Sequence, residues 1–177
     1  MRRLLLVLLI FSGAALAGVI NPGQWYGFMW SGSSFPIATT GQQTSSVDAS
    51  VLDPGSGPWT IDLAAPAYLI VVDGFASGDQ FEAFDGGVSL GLTLSVSTGT
   101  DECSGGDGPN HCLADSRYSS GSFLLGAGSH SLTISTVSGY TSGGAWFGVG
   151  TSEVPEPSTM ALVGLAGLGL LAWRRKR

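Results

Sequence analysis

The chain is short of positive charge. Of its 177 residues only one is lysine, Lys176, and between Gly18 and Pro157 the only cation is Arg117. All 13 acidic residues lie in that stretch, so 13 acids face one cation and its net charge is −12, against −6 for the whole chain. Nothing there could neutralise phosphates, which excludes nucleic acid as a partner. Attraction to an anionic membrane surface is excluded on the same ground; solubility outside the cell and divalent cations are compatible with it. Histidine is nearly as scarce, with His111 and His130 alone. No Gly-x-Ser-x-Gly elbow and no His-Glu-x-x-His helix occurs. No Ser-His-Asp set is marked out. Glu82 is the only glutamate in a predicted strand, and a chain this short offers little room for a glycosidase cleft. No catalytic residue is assigned, and a secreted hydrolase is the third reading.

Only two cysteines are present, Cys103 and Cys112. Without a CxxC pair, a metal site on Cys103, His111 and Cys112 lacks the fourth ligand zinc prefers. A disulfide closing a surface loop is the expectation, consistent with an oxidising compartment. A convincing 3.6-residue period is also missing from the middle of the chain.

Targeting segments hold most of what the middle lacks. Arg2 and Arg3 precede an apolar run, Leu4 to Phe11, and a small-x-small site at Ala15-Leu16-Ala17. This is the pattern of a signal helix for the general secretory route, cleaved between Ala17 and Gly18. The other end reads Val154-Pro155-Glu156-Pro157-Ser158-Thr159, an uncharged run from Met160 to Trp173, then Arg174, Arg175, Lys176 and Arg177. The prolines stop any helix or strand from running through. An apolar run followed by cations reads as a single membrane span with its basic anchor in the cytoplasm. Ser158 to Trp173 would reach roughly 24 Å as a helix against a hydrocarbon core of roughly 30 Å. Thinning or snorkelling covers the difference, and a short span suits temporary anchoring.

This tail resembles the PEP-CTERM sorting signal of exopolysaccharide-producing Gram-negative bacteria. The resemblance implies that Pro155, Glu156 and Pro157 are a recognition motif for an exosortase-like processing enzyme, a membrane transpeptidase-like protease. The precursor would be held at the inner membrane, then handed to the cell surface or extracellular matrix. Three segments follow: a signal peptide at 1–17, an acidic secreted domain at 18–152, and the sorting signal at 153–177.

Between the ends, short runs of period 2 separated by Gly, Asp and Pro predict an all-β domain. Residues 18–56 are the least regular and hold one or two edge strands. Trp59, Ile61 and Leu63 alternate with polar residues. Ala67 to Val72 is a continuous apolar run, as in a buried central strand. Gln80 to Phe84 precedes the hairpin turn Asp85-Gly86-Gly87. Val88 to Ser97 reads as the cleanest strand, with Val88, Leu90, Leu92, Leu94 and Val96 on its buried face. Gly121–Leu125, Ser129–Val137 and Ala145–Val149 complete seven or eight strands, joined in part by the tight connection Gly126-Ala127-Gly128. The architecture expected is a β-sandwich or jelly roll. The stretch from Pro58 to Val149 is similar to a motif of uncharacterised secreted bacterial and fungal proteins, carried here by Asp73-Gly-Phe, Gly78-Asp79-Gln-Phe-Glu and Asp85-Gly-Gly. That likeness implies a β-sandwich and no activity.

Two sets of side chains are candidate sites. Asp73, Asp79 and Asp85, with Glu82, surround two turns and could hold Ca²⁺, which takes 6–8 oxygens; ordinary turn hydrogen bonding is the alternative. No cofactor is otherwise assigned. Trp25 and Trp30 precede the regular strands and could stack on sugar rings, whereas Trp59 and Trp146 fall on strands and read as core. The resulting expectation is an exported structural or adhesive protein of the surface or exopolysaccharide matrix. The alternative is a carbohydrate-binding module, with or without Ca²⁺.

Overall fold

The computed structural model describes residues 17–41, 51–99, 102–103 and 108–150. The predicted signal helix and the sorting tail lie outside the described residues. Among the described residues no helix is long and apolar enough to cross a membrane.

The domain is all-β. Its strands are β1 (Gly18–Val19), β2 (Trp25–Ser31), β3 (Ile37–Gly41), β4 (Val51–Leu52), β5 (Trp59–Leu63), β6 (Ala67–Asp73), β7 (Phe75–Ala76), β8 (Gln80–Asp85), β9 (Val88–Leu92), β10 (Glu102–Cys103), β11 (Ser120–Leu125), β12 (Gly128–Ser138) and β13 (Ser142–Gly150), with a short helix α1 (Gly108–Ala114) after β10. In one sheet β12 is central. Leu132 faces Trp59 of β5 on one side and Asp85 of β8 on the other, and β9 extends the sheet beyond β8. The second sheet runs β4–β2–β13–β6–β11. β3 belongs to both, pairing Ile37 and Ala38 with β12 and Thr39 to Gly41 with β2. At the opposite margin β9 and β11 approach, and Leu94 N–H donates to Ser120 O.

Period-2 patterning explains the core. Trp59, Ile61 and Leu63 of β5 and Phe81 and Ala83 of β8 point to the same interior as Leu69 and Val71 of β6 and Phe147 and Val149 of β13. The sheets meet through aromatic rings: Phe28 lies edge-on to Phe81 at 5.4 Å, and Trp59 stacks on Phe147 at 4.4 Å. Such pairs contribute about 0.5–1.5 kcal/mol each beyond area burial.

Three expectations need correction. β2 is an interior strand, between β13 and β3, because its Tyr26, Phe28 and Trp30 supply three large side chains to the core. The Val88–Ser97 strand stops at Leu92, and its expected buried face is turned out: Leu92 is 55% exposed and Leu94 64%, while Thr93 is buried. Gly91 adopts φ 131° at a bulge where Leu90 is an extra residue opposite β8, and this shifts the alternation. Beyond the bulge Thr93 faces inward. Its Oγ1 accepts the Phe81 N–H and bonds Ser119 Oγ, which donates to Leu94 O.

The third concerns the cysteines. The disulfide Cys103–Cys112 is present with Cα atoms 5.6 Å apart, which rules out the metal alternative on those thiols. It does not sit in a surface loop. Both cysteines are buried with Val51, Val72, Tyr118 and Trp146 in a second cluster, on the outer face of the second sheet. α1 brings Cys112 there. Pro109 at its first turn, where no N–H partner is needed, is the signal that could have revealed this helix.

Candidate functional site

A cleft of about 490 Å³ opens beside β5 and β12, lined by Val19, Thr60, Asp62, Asp85, Ser129, His130 and Ser131 among others. Its polar groups arrive by strand register. Thr60 faces Ser131 and Asp62 faces Ser129, so alternate residues of two neighbouring strands line up. Ser129 Oγ donates to Asp62 Oδ1 at 3.4 Å.

The Asp85–His130 pair anchors the cleft. Asp85 Oδ2 lies 2.7 Å from His130 Nδ1, Asp85 Oδ1 accepts the Ser131 N–H at 2.9 Å, and His130 Nε2 lies 3.0 Å from Gly126 O. The network ties the Asp85-Gly86-Gly87 turn to the Gly126-Ala127-Gly128 connection. Burial disfavours the charged ring of His130, but the Asp85 carboxylate and the Gly126 carbonyl outweigh it and raise its pKa. Burial likewise opposes ionisation of Asp85, and its hydrogen bonds from His130 and Ser131 win, lowering its pKa. Both ring nitrogens are therefore committed, one to a carboxylate and one to a backbone carbonyl. A general base needs a free nitrogen within reach of the proton it takes, and this ring presents none. The cleft sets a few carboxylates and hydroxyls within a lining that also includes Val19 and Ile61.

Residues 153–177 match the family model of the PEP-CTERM protein-sorting motif. The chain carries a PEP-CTERM sorting motif. This is the signal of exosortase-sorted exported proteins, and it covers Pro155, Glu156, Pro157 and the terminal Arg174, Arg175, Lys176 and Arg177. Those residues lie outside the described residues. No curated protein and no solved structure matches the chain.

The carboxylates put forward for Ca²⁺ do not converge. Asp73 and Asp79 lie before one end of β8 and Asp85 is at the other, across six residues of strand or roughly 20 Å. Among the described residues no three of His, Cys, Asp and Glu are placed to hold a metal. Each carboxylate instead has a local partner. Asp73 accepts N–H groups from Gly74, Gly78 and Asp79, closing the loop around itself. Asp79 accepts the Tyr140 N–H at 2.6 Å, and Glu82 accepts Ser89 Oγ. Burial and the neighbouring Asp79 push Asp73 up to about 8, against its three N–H donors; burial pushes Asp79 up to about 6.

Trp30 is buried, its Nε1 donating to Tyr140 O, so it offers no stacking face. Trp25 is half-buried and lines a shallow groove with Gln24, Ile70 and Gly148. Trp59 and Trp146 are core residues. Sequence reasoning missed Thr60, Asp62, Ser129 and Ser131. The available signal was two strands whose polar alternates are all hydroxyls or carboxylates; which strands pair is not written in either one.

Proposed function

We propose that the protein is an exported, non-catalytic structural or adhesive component of the cell surface or exopolysaccharide matrix. Its β-sandwich would travel by the general secretory route, lose residues 1–17, and stay tethered at the inner membrane until an exosortase-like enzyme processes its tail. The observation that carries this reading is the sorting-motif match at residues 153–177. Gly18 supports the N-terminal site: it begins β1, and a Cβ there would come 1.8 Å from Pro54 O, so the domain tolerates only glycine at its first strand residue. The test is C-terminal mass and cell fractionation with and without the processing enzyme. Processed protein outside the membrane in the first strain and full-length membrane-bound protein in the second is expected. An unchanged C-terminal mass in the two strains rejects processing.

A second reading is favoured by the cleft. Its Asp62, Asp85, Ser129 and Ser131 suit hydrogen bonding to the hydroxyls of a polysaccharide, without Ca²⁺. Titration of the domain with the native exopolysaccharide should shift the His130 ring and Val19 resonances. Shifts confined to the Trp25 groove, or none, dispose of the cleft as the site.

A further inference from the structure

We propose that the turn of residues 53–56 is a binding site for an α-ammonium group, the one that removal of residues 1–17 leaves on Gly18. It rests on reading Ala17–Gly18 as the bond cleaved on export. Hydrolysis of that bond adds one water: Ala17 ends in a carboxylate, and the Gly18 nitrogen, at neutral pH, becomes an ammonium. An amide nitrogen with one proton is thereby replaced by a cation with three.

The turn already touches that nitrogen. Gly18 N–H donates to Ser56 O at 3.1 Å. Pro54 O crowds the point where a side chain on residue 18 would begin, so a second carbonyl is packed against the same residue. The carbonyl between them, Gly55 O, is taken by Trp59, whose Nε1 donates to it at 3.0 Å. Trp59 is buried in the core, and this bond fastens the turn there. Asp53 Oδ1 accepts the Gly55 N–H at 2.8 Å, and Gly55 adopts the φ of 67° that the bend needs. Gly18 is held from its other side as well. Its carbonyl accepts from Thr60 Oγ1 at 3.4 Å, and β1 pairs with β5 with Gly18 opposite Trp59. Cation and site are thus positioned by the strand and the turn before any charge is present, so little ordering is lost on filling the site.

Charge favours the same place. The titratable groups facing this corner are Asp53 on the turn, Asp62 on β5, and Asp85 and His130 across the cleft that Val19 lines. Asp85 and His130 are bonded to each other. Only Asp53 shares the turn with the two carbonyls. Between Gly18 and Pro157 the only lysine or arginine is Arg117, which pairs with Asp115, so no other such cation competes for Asp53. Two carbonyl oxygens and a carboxylate all favour the protonated amine, the backbone mode of capturing a chain's N-terminus. The folded-state pKa of the amine should then exceed its ordinary 7.7–8.0. The stability it contributes is present below that range and is lost as pH rises through the folded value.

The test uses the exported chain with its natural N-terminus, identified by mass spectrometry of the N-terminal peptide. The rate at which acetic anhydride modifies the α-amine, followed from about pH 6 to about pH 10, gives its titration midpoint. Lys176 is the only other primary amine, so the two are resolved. A midpoint about half a unit or more above the ordinary value is expected. Asp53→Asn, which keeps an oxygen for the Gly55 N–H, should lower it, and Asp62→Asn should lower it less. A chain made to begin at Ala17 should melt about 2 °C lower near neutral pH and no lower at about pH 10. An ordinary midpoint on Gly18, or equal effects of the two asparagine variants, overturns the site and leaves the cleavage reading intact; in the second case the net charge of the domain alone explains the shift. Equal melting of the two chains near neutral pH overturns it likewise. A first residue other than Gly18 overturns the cleavage reading and this inference together.

Discussion

Removing the disulfide tests how the second cluster belongs to the fold. The perturbation is Cys103→Ala with Cys112→Ala. The bridged residues are nine apart in sequence, and a loop of that size corresponds to about 2.6 kcal/mol in the chain-entropy model. Loss of two buried sulfurs packed on Val72 and Trp146 adds roughly 1 kcal/mol of cavity cost. The sum, about 3–4 kcal/mol, is a large share of the 5–15 kcal/mol typical of a domain. Urea unfolding followed by tryptophan fluorescence and far-UV circular dichroism reads it. With a slope of about 2 kcal/mol/M, the midpoint should fall by roughly 1.5–2 M, and the slope itself should rise as the denatured chain expands. Both probes should shift together, because Val72 and Trp146 lie on strands whose other faces are the main core. An unchanged midpoint, with faster amide exchange confined to residues 102–118, would refute the reasoning: the disulfide segment would then be a flap that opens without unfolding either sheet.

Thr93→Val keeps shape but leaves the Phe81 N–H without its acceptor, while Ser119 Oγ keeps its bond to Leu94 O, so chemical denaturation should show a loss of about 1–3 kcal/mol. Gly139→Ala would put a Cβ 2.3 Å from Asp79 Oδ1 at φ +114°, and a melting curve should show a loss of about 1–3 kcal/mol. In a pH series, the raised pKa of Asp73 and Asp79 means the folded state binds extra protons, so stability should fall as pH rises from about 4 to about 8. The lowered pKa of Asp85 gives a contribution lost as pH drops below its ordinary 3.8, and the raised pKa of His130 one lost as pH climbs above its ordinary 6.5, so the optimum should lie in mild acid. His130→Ala should remove the second of these dependences; a melt whose pH profile is unaltered by that change would show the pair contributes nothing.

Much of the fold was legible where one residue's neighbours decide its direction. The alternations of Trp59–Leu63 and Ser129–Val137 map onto β5 and β12, the short run Ala145–Val149 falls within β13, and the continuous run Ala67–Val72 maps onto β6, a strand with partners on both sides. Glycine-marked turns were legible for the same reason, since Gly86 and Gly87 supply positive φ locally. The cleft was not, because it depends on pairings across long sequence separations. Asp85 and His130 are 45 residues apart, and nothing in either segment names the other. The short α1 escaped because seven residues cannot display a period.

The inversion at Val88–Ser97 shows which forces a pattern leaves out. Exposing a leucine forfeits roughly 2 kcal/mol, and Leu92 and Leu94 each keep part of that through partial cover. Returning the strand to the expected register would turn Thr93 outward. It would leave the Phe81 N–H buried without its acceptor, at about 1–3 kcal/mol, and take the Thr93 hydroxyl away from Ser119 Oγ. It would also drive a side chain into the place where Gly91 lets Phe123 approach to 3.3 Å of a would-be Cβ, and where Gly121 does the same at 2.8 Å. The second margin of the two sheets closes only because glycines let Phe123 pack between β9 and β11. Five apolar residues in perfect alternation therefore lose to one threonine and two glycines. The balance is narrow enough for Thr93→Val to decide it: if that variant proves as stable as the parent, aromatic packing on Gly91 and Gly121 alone holds the register.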